Sequence, residues 1–204
     1  MRHQVDFDPA THTYTRRGAE LPGVTRILKD AGLTPPYPED RGWLEFGHAV
    51  HKCCELFVQD RLIVGEDGRS YPGTLYQGST VLWPYINGFA EKVREMRIKP
   101  ILVEHRVYHD VEGYAGTLDL CCTVFDEYEA IVDLKTGAPP ESTALQTALY
   151  DLALSRERSH KGHRKRFSFY LMPDRCVVKQ YQDDFDYAAA LGAVALWKWK
   201  RKKR

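Results

Sequence analysis

An α/β fold, with a central mixed β-sheet flanked by helices, is predicted by three observations: a change of hydrophobic period, the order of elements around it, and a composition able to fill a core. Before Pro100 apolar residues recur mainly at helical spacing, and after it they alternate as in strands. Helix, three strands, helix, strand is the central order that results. The chain has 204 residues, 43% hydrophobic and 12% aromatic, about one domain's worth. That composition excludes a disordered chain.

Residues 4–23 read as short strands and turns: Val5, Phe7 and Tyr14 are apolar, with Asp-Pro and Arg-Gly turn signals among them. Val24 to Leu33 suits a short helix, stopped by Gly32 and Pro35-Pro36. The segment 39–59 is a longer helix, with Trp43, Phe46, Val50, Cys53, Cys54, Phe57 and Val58 in one stripe. Residues 60–77, rich in glycine, read as loop. A second helix covers 79–97, with Pro84 in its first turns. Three strands follow at 101–108, 116–124 and 130–135, then a helix at 141–155 and a basic loop at 156–166. Strands at 167–172 and 176–181 flank a Pro-Asp turn, and a last helix starts near 186. The expected division is one domain over 1–185, with a helical elaboration at about 24–97 and a core at about 100–182. Residues 186–204 form a C-terminal helix with a basic tail.

The charge is uneven. Lys and Arg number 29 against 28 Asp and Glu, a net of +1, yet six of the last seven residues are basic. Removing those six charges leaves −5 for the rest, an acidic body with a basic tail that suits an anionic partner. Solubility is the competing reading of such a tail. No stretch approaches the roughly 20 apolar residues of a membrane span, and the first residues lack the apolar region of a secretion signal. An intracellular, cytoplasmic location is therefore expected. The five cysteines, four of them in two adjacent pairs, do not form a disulfide framework and read as small core residues.

Val132-Asp133-Leu134-Lys135-Thr136-Gly137 ends a strand, so Asp133 and Lys135 share a face about 7 Å apart. Apolar neighbours on both sides mean that these charges need partners or a metal. Alone, a structural ion pair explains them equally well. Gly116-Thr-Leu-Asp119 lies on the preceding strand, where Asp119 is expected to face Asp133 across the sheet. Two carboxylates that close repel unless a cation separates them, and hard Mg²⁺ or Mn²⁺ suits oxygen ligands. On the long helix, His51 and Glu55 lie roughly 40° apart at the edge of the apolar stripe. Gln146 and Tyr150, at i and i+4, share a face of the helix after the Lys135 strand.

His51, Gly116-x-x-Asp119, Asp133-x-Lys135-Thr136 and Gln146-x-x-x-Tyr150, in that order, resemble the RecB-type branch of the PD-(D/E)xK nucleases. The likeness covers roughly residues 1–182. The opening Phe7-Asp-Pro, His12-Thr-Tyr14 and Pro22-Gly-Val-Thr-x-Ile-Leu28 is similar to that of small phage-encoded members. The resemblance implies a restriction-endonuclease-like core and metal-dependent cleavage of DNA phosphodiesters. It implies an exonuclease on single strands or ends, with roles in recombination or repair. His51, Asp119, Asp133 and the carbonyl of Leu134 would bind Mg²⁺ or Mn²⁺, and Lys135 would orient or help deprotonate the attacking water. Glu104 matches a carboxylate near the metal, or is a structural acid. Gln146 and Tyr150 would hold the substrate phosphate or position the Lys135 side chain.

Some relatives carry an iron–sulfur cluster, but no Cys precedes His51 and only Cys176 lies beyond residue 122, so none is expected. Lys198, Lys200 and Arg201 of the tail are candidate DNA contacts. Expected partners are DNA and recombination or replication proteins. Three other readings stand: a structure-specific endonuclease, a non-catalytic DNA-binding subunit of a larger complex, and a zinc module using His48, His51, Cys53 and Cys54.

Overall fold

The switch of period at Pro100 marks the entry into a five-stranded sheet. The computed structural model describes residues 5–34, 41–64, 70–72, 82–137, 140–173 and 175–202. Strands β1 (Asp6–Asp8), β2 (Thr13–Arg16) and β3 (Ala19–Leu21) form a small antiparallel sheet, followed by helix α1 (Val24–Asp30). Helix α2 (Arg41–Val58) precedes a ribbon of β4 (Leu62–Val64) and β5 (Ser70–Pro72), and then α3 (Trp83–Glu95). The main elements are β6 (Lys99–His109), β7 (Tyr114–Val124), β8 (Tyr128–Thr136), α4 (Thr143–Arg158), β9 (Lys165–Met172), β10 (Arg175–Tyr181) and α5 (Phe185–Lys202).

Their sheet has the order β10-β9-β8-β7-β6, with only β8 and β9 parallel. The parallel pair follows from α4, a crossover long enough to return the chain to the same end of the sheet. One face packs on α2 and α3, through Val50, Cys54, Phe89, Val132 and Phe169. The other packs on α1, α4 and α5, through Ile27, Ile131, Leu149, Ala153 and Val194. The predicted α/β class, a mixed sheet between helices, is the one observed. Among the described residues no helix is long and apolar enough to cross a membrane.

Two local expectations need correction. The segment 60–77 is not loop throughout, because it holds the β4–β5 ribbon, whose three-residue strands are too short to show a period. Trp43 leaves the stripe of α2: it is 58% exposed, and the buried face starts beyond it. Of the helix expected at 79–97, residues 79–81 lie outside the described residues, and Pro84 does sit in its first turn.

The faces of β6 and β7 exchange midway. Leu118 packs with α4, whereas Leu120, two residues on, packs with α2 and α3. Residues two apart in a regular strand share a face, so the ribbon turns over at Asp119. Beside it, Glu104 has a φ of 48°, in the left-handed region where a Cβ is disfavoured by about 1 kcal/mol. That turn delivers the Asp119 side chain to the boundary between the two helical layers.

Candidate active site

The ladder between β7 and β8 ends at the pair Leu120 and Val132. Beyond it β8 continues beside β9 as far as Thr136 and Leu171, while β7 leaves β8 and continues beside β6, with one bridge from Ala115 to Gly23. The sheet forks there, and Asp119, Asp133, Lys135 and His51 meet at the fork.

Strand order alone predicts that Asp119 and Asp133 face one another across paired strands. Pairing instead stops one residue short of them, and the Leu134 backbone N–H, left without a ladder partner, donates to Asp119 Oδ2 at 2.6 Å. A carboxylate thus takes the place of a strand at the opening of the fork. Asp133 is 2% exposed, and the Lys135 Nζ lies 2.8 Å from its Oδ2. Oδ2 is sealed from solvent, and among the described residues no hydrogen bond reaches it besides this ion pair. Burial pushes the Asp133 carboxyl up to about 6, with Lys135 opposing and Asp119 adding to the rise. Asp119 is raised by burial too, against Lys135 and the Leu134 amide.

His51 comes from the opposite helical layer, its Nδ1 at 3.8 Å from Asp119 Oδ1. Gly47, one turn earlier, allows the approach: a Cβ there would stand 2.9 Å from Thr136 Oγ1 at the end of β8. Burial first, and then the Lys135 charge, push the imidazole down to about 4, so His51 is neutral at pH 7 and keeps a lone pair. Glu104 borders the fork, an exposed residue whose carboxyl group is nonetheless largely shielded. Its carboxyl is raised by desolvation, then by Asp119 and Glu55.

Gln146 and Tyr150 do project together from α4, and the Gln146 Nε2 donates to the Tyr150 hydroxyl at 3.1 Å. Tyr150 lies flat against β7 because residue 116 is glycine, where a Cβ would stand 2.6 Å from Tyr150 Cε1. Gly116→Ala is therefore expected to cost about 1–3 kcal/mol and to displace the tyrosine. Thermal melting and the substrate KM check this together, and an unchanged KM would mean that Tyr150 has no part in binding.

Neither Tyr14, which the opening motif includes, nor Thr117 was among the candidate site residues. Tyr14 reaches from β2 to Thr117 Oγ1 at 3.0 Å, two residues before Asp119. Only the packing of the small sheet on the ribbon creates that contact, so motif spacing alone carried no signal for it. Lys52 and Glu55, on the turn of α2 after His51, are tied to each other at 2.6 Å.

Cys53 and Cys54 are sealed in the α2–α3 core, where burial pushes the Cys53 thiol up to about 11. His48 is exposed. Nothing in this arrangement joins the four into one zinc site. Among the described residues no three His, Cys, Asp or Glu side chains are grouped closely enough to hold an ion as they stand.

The tail is helical to Lys202 rather than a loose arm, and Lys203 and Arg204 lie outside the described residues. Lys198 is held by Glu112 at 2.6 Å, and Lys200 donates to the Asp30 carbonyl at 2.8 Å. Arg201 lies over the Trp197 ring at 4.4 Å. Trp197 packs on the body and donates to Asp30 Oδ2 at 3.0 Å, whereas Trp199 is exposed. A helix sends adjacent odd positions to different sides, which is why only one of the two tryptophans docks.

No family model matches the chain, and no curated protein matches it. Among solved structures, the chain is similar to a protein from Eubacterium rectale named as a candidate exonuclease. Identity is 11% over 84% of this chain and 69% of that one, with a TM-score of 0.49. It is similar also to LHK-Exo, solved in complex with dAMP, at 14% identity over 90% and 88% of the two chains, with a TM-score of 0.39.

Proposed function

We propose that the fork is the catalytic centre of a divalent-metal-dependent deoxyribonuclease of the RecB-type PD-(D/E)xK kind, an exonuclease on single strands or DNA ends. The observation that carries the reading is Asp133 Oδ2, a buried carboxylate oxygen that among the described residues only the Lys135 ion pair reaches, set between Asp119, neutral His51 and Lys135. Carboxylate oxygens, a carbonyl and one imidazole suit Mg²⁺ or Mn²⁺. His51, Asp119, Asp133 and the Leu134 carbonyl would hold the ion, which when bound lends Lewis acidity at the scissile phosphate.

The chain's own groups have separable tasks. Lys135 Nζ donates to the attacking water and offsets charge growing on the phosphate. The Tyr150 hydroxyl accepts from Gln146, so its own proton is left to donate to a phosphate oxygen. Burial raises Tyr150 well above the usual phenol range, which keeps that proton in place at pH 7. The neutral His51 ring offers a lone pair without adding a positive charge beside the ion.

The test is a time course on 5′- and 3′-labelled single- and double-stranded oligonucleotides with Mg²⁺ or Mn²⁺. Products of one to a few nucleotides support the exonuclease. A fixed internal cut makes it a structure-specific endonuclease, and binding without any cut makes it a non-catalytic DNA-binding subunit. His51→Ala is expected to raise the metal concentration at half-maximal rate by at least about tenfold. An unchanged metal titration would remove His51 from the site.

A further inference from the structure

On that reading of the fork, we infer that the edge formed by the small N-terminal sheet and β6 is a platform for a single DNA strand entering or leaving the site. Tyr14 is the joint between platform and fork: it pairs with Phe7 in the small sheet and bonds Thr117 on β7, whose partner on β6 is Arg106. Thr117 is two residues from Asp119, and Arg106 is two residues from Glu104, about 7 Å along each strand. A strand lying across this edge therefore starts next to the carboxylates.

The edge combines cations with aromatic rings. The Arg16 guanidinium lies 4.1 Å from the Tyr108 ring centroid, and that of Arg106 lies 5.7 Å from Phe7. Phe7 also meets the exposed His12 ring edge-on at 5.1 Å. Among the described residues neither Arg16 nor Arg106 pairs with a carboxylate. Lys198, Arg156 and Arg26 by contrast are neutralised by Glu112, Asp110 and Glu20. Arg16 Nε is shielded from water without a hydrogen-bond partner, a donor with nothing to donate to. Asp8, an acid of the same small sheet, is occupied by Thr11 and the Ala10 amide. Unneutralised guanidinium groups track a phosphate backbone, and rings beside them stack bases without regard to sequence. A flat duplex contact needs no aromatic ring, and a carboxylate-rich protein partner would leave Phe7 and His12 unused. A single strand uses both features.

The experiment is anisotropy of a labelled 12-mer single strand over a salt series in EDTA, which measures binding apart from cleavage. For Arg16→Ala/Arg106→Ala the Kd is expected to rise about fivefold to twentyfold. The slope of log K against log salt should flatten by about 1.4, for two phosphates at about 0.7 each. Phe7→Leu keeps an apolar side chain in the small core and should weaken binding about fivefold or more through lost stacking. Lys179→Ala removes a cation that also lies over a ring, Tyr181 at 5.3 Å, but on the far edge strand; it should change the Kd less than about twofold. Unchanged melting temperatures confirm that the variants are folded. Arg16→Ala/Arg106→Ala binding the 12-mer with wild-type affinity and slope overturns the platform, as does an equal loss for Lys179→Ala. Wild-type protein that binds the 12-mer but never cuts it with Mg²⁺ or Mn²⁺ sinks the catalytic reading, while the binding comparison still decides the platform.

Discussion

On the proposed metal-dependent reading, Asp133→Asn is expected to lower DNA hydrolysis by at least about a thousandfold, since it would remove a charged oxygen donor to the ion and the partner of Lys135 together. The same change should make the metal-free protein more stable at pH 8. Asp133 titrates near 6 in the folded protein, above the ordinary carboxyl value, so folding favours its protonated form. Its ionised form is therefore a penalty that is absent below about pH 4, grows between pH 4 and 6, and is complete above. A rise of that size destabilises the ionised fold by about 1–3 kcal/mol. Melting of both proteins from pH 4 to 8 in EDTA checks this: the asparagine variant should gain over wild type as pH rises. Retention of more than a few per cent of activity would remove Asp133 from the centre. A variant less stable at pH 8 than wild type would mean that the Lys135 pair outweighs the burial.

Arg164→Met should have the largest effect on stability. Arg164 and Asp151 are both almost wholly buried, with Nη1 at 3.1 Å from Asp151 Oδ1 and Nε at 2.9 Å from Glu129. Asp151 also accepts from the Tyr187 hydroxyl at 2.9 Å, which ties α5 to α4. Removing the arginine leaves a carboxylate in the core without its main counter-charge, a loss of about 3–5 kcal/mol. At about 2–4 °C per kcal/mol for a chain of this size, melting should fall by roughly 10 °C. Asp151→Asn/Arg164→Met should recover most of the loss, because no charge is then stranded. A single variant that melts within about 2 °C of wild type would show that the Tyr187 hydroxyl and the His163 ring, whose Nδ1 lies 3.2 Å from Asp151 Oδ2, suffice for Asp151.

The elements were legible because each has one dominant period. The 39–59 stripe became α2, the alternation after Pro100 became β6 to β8, and Gln146 and Tyr150 met on one face of α4. What failed were features without a period. The β4–β5 strands are too short to carry one, and Trp43 continues the stripe of α2 past the point where anything covers it. The tail was legible as a charged helix. That Lys198 and Lys200 are held by Glu112 and by the Asp30 carbonyl depends on residues 86 and 170 positions away.

The sequence by itself determined the α/β order and brought Asp133 and Lys135 to one face, because strand and helix periods are local properties of the chain. Only the tertiary structure decided how Asp119 is used. Its place depends on a fork where β7 leaves β8, and on a turn in the ribbon at Glu104, neither of which has a signature in residue spacing. It also decided that His51 meets this carboxylate from the other helical layer, which required Gly47 to let α2 touch the end of β8. The raised carboxyls and the lowered imidazole follow from that closure. Desolvation is set by what the whole fold wraps around a group, not by its neighbours in the chain.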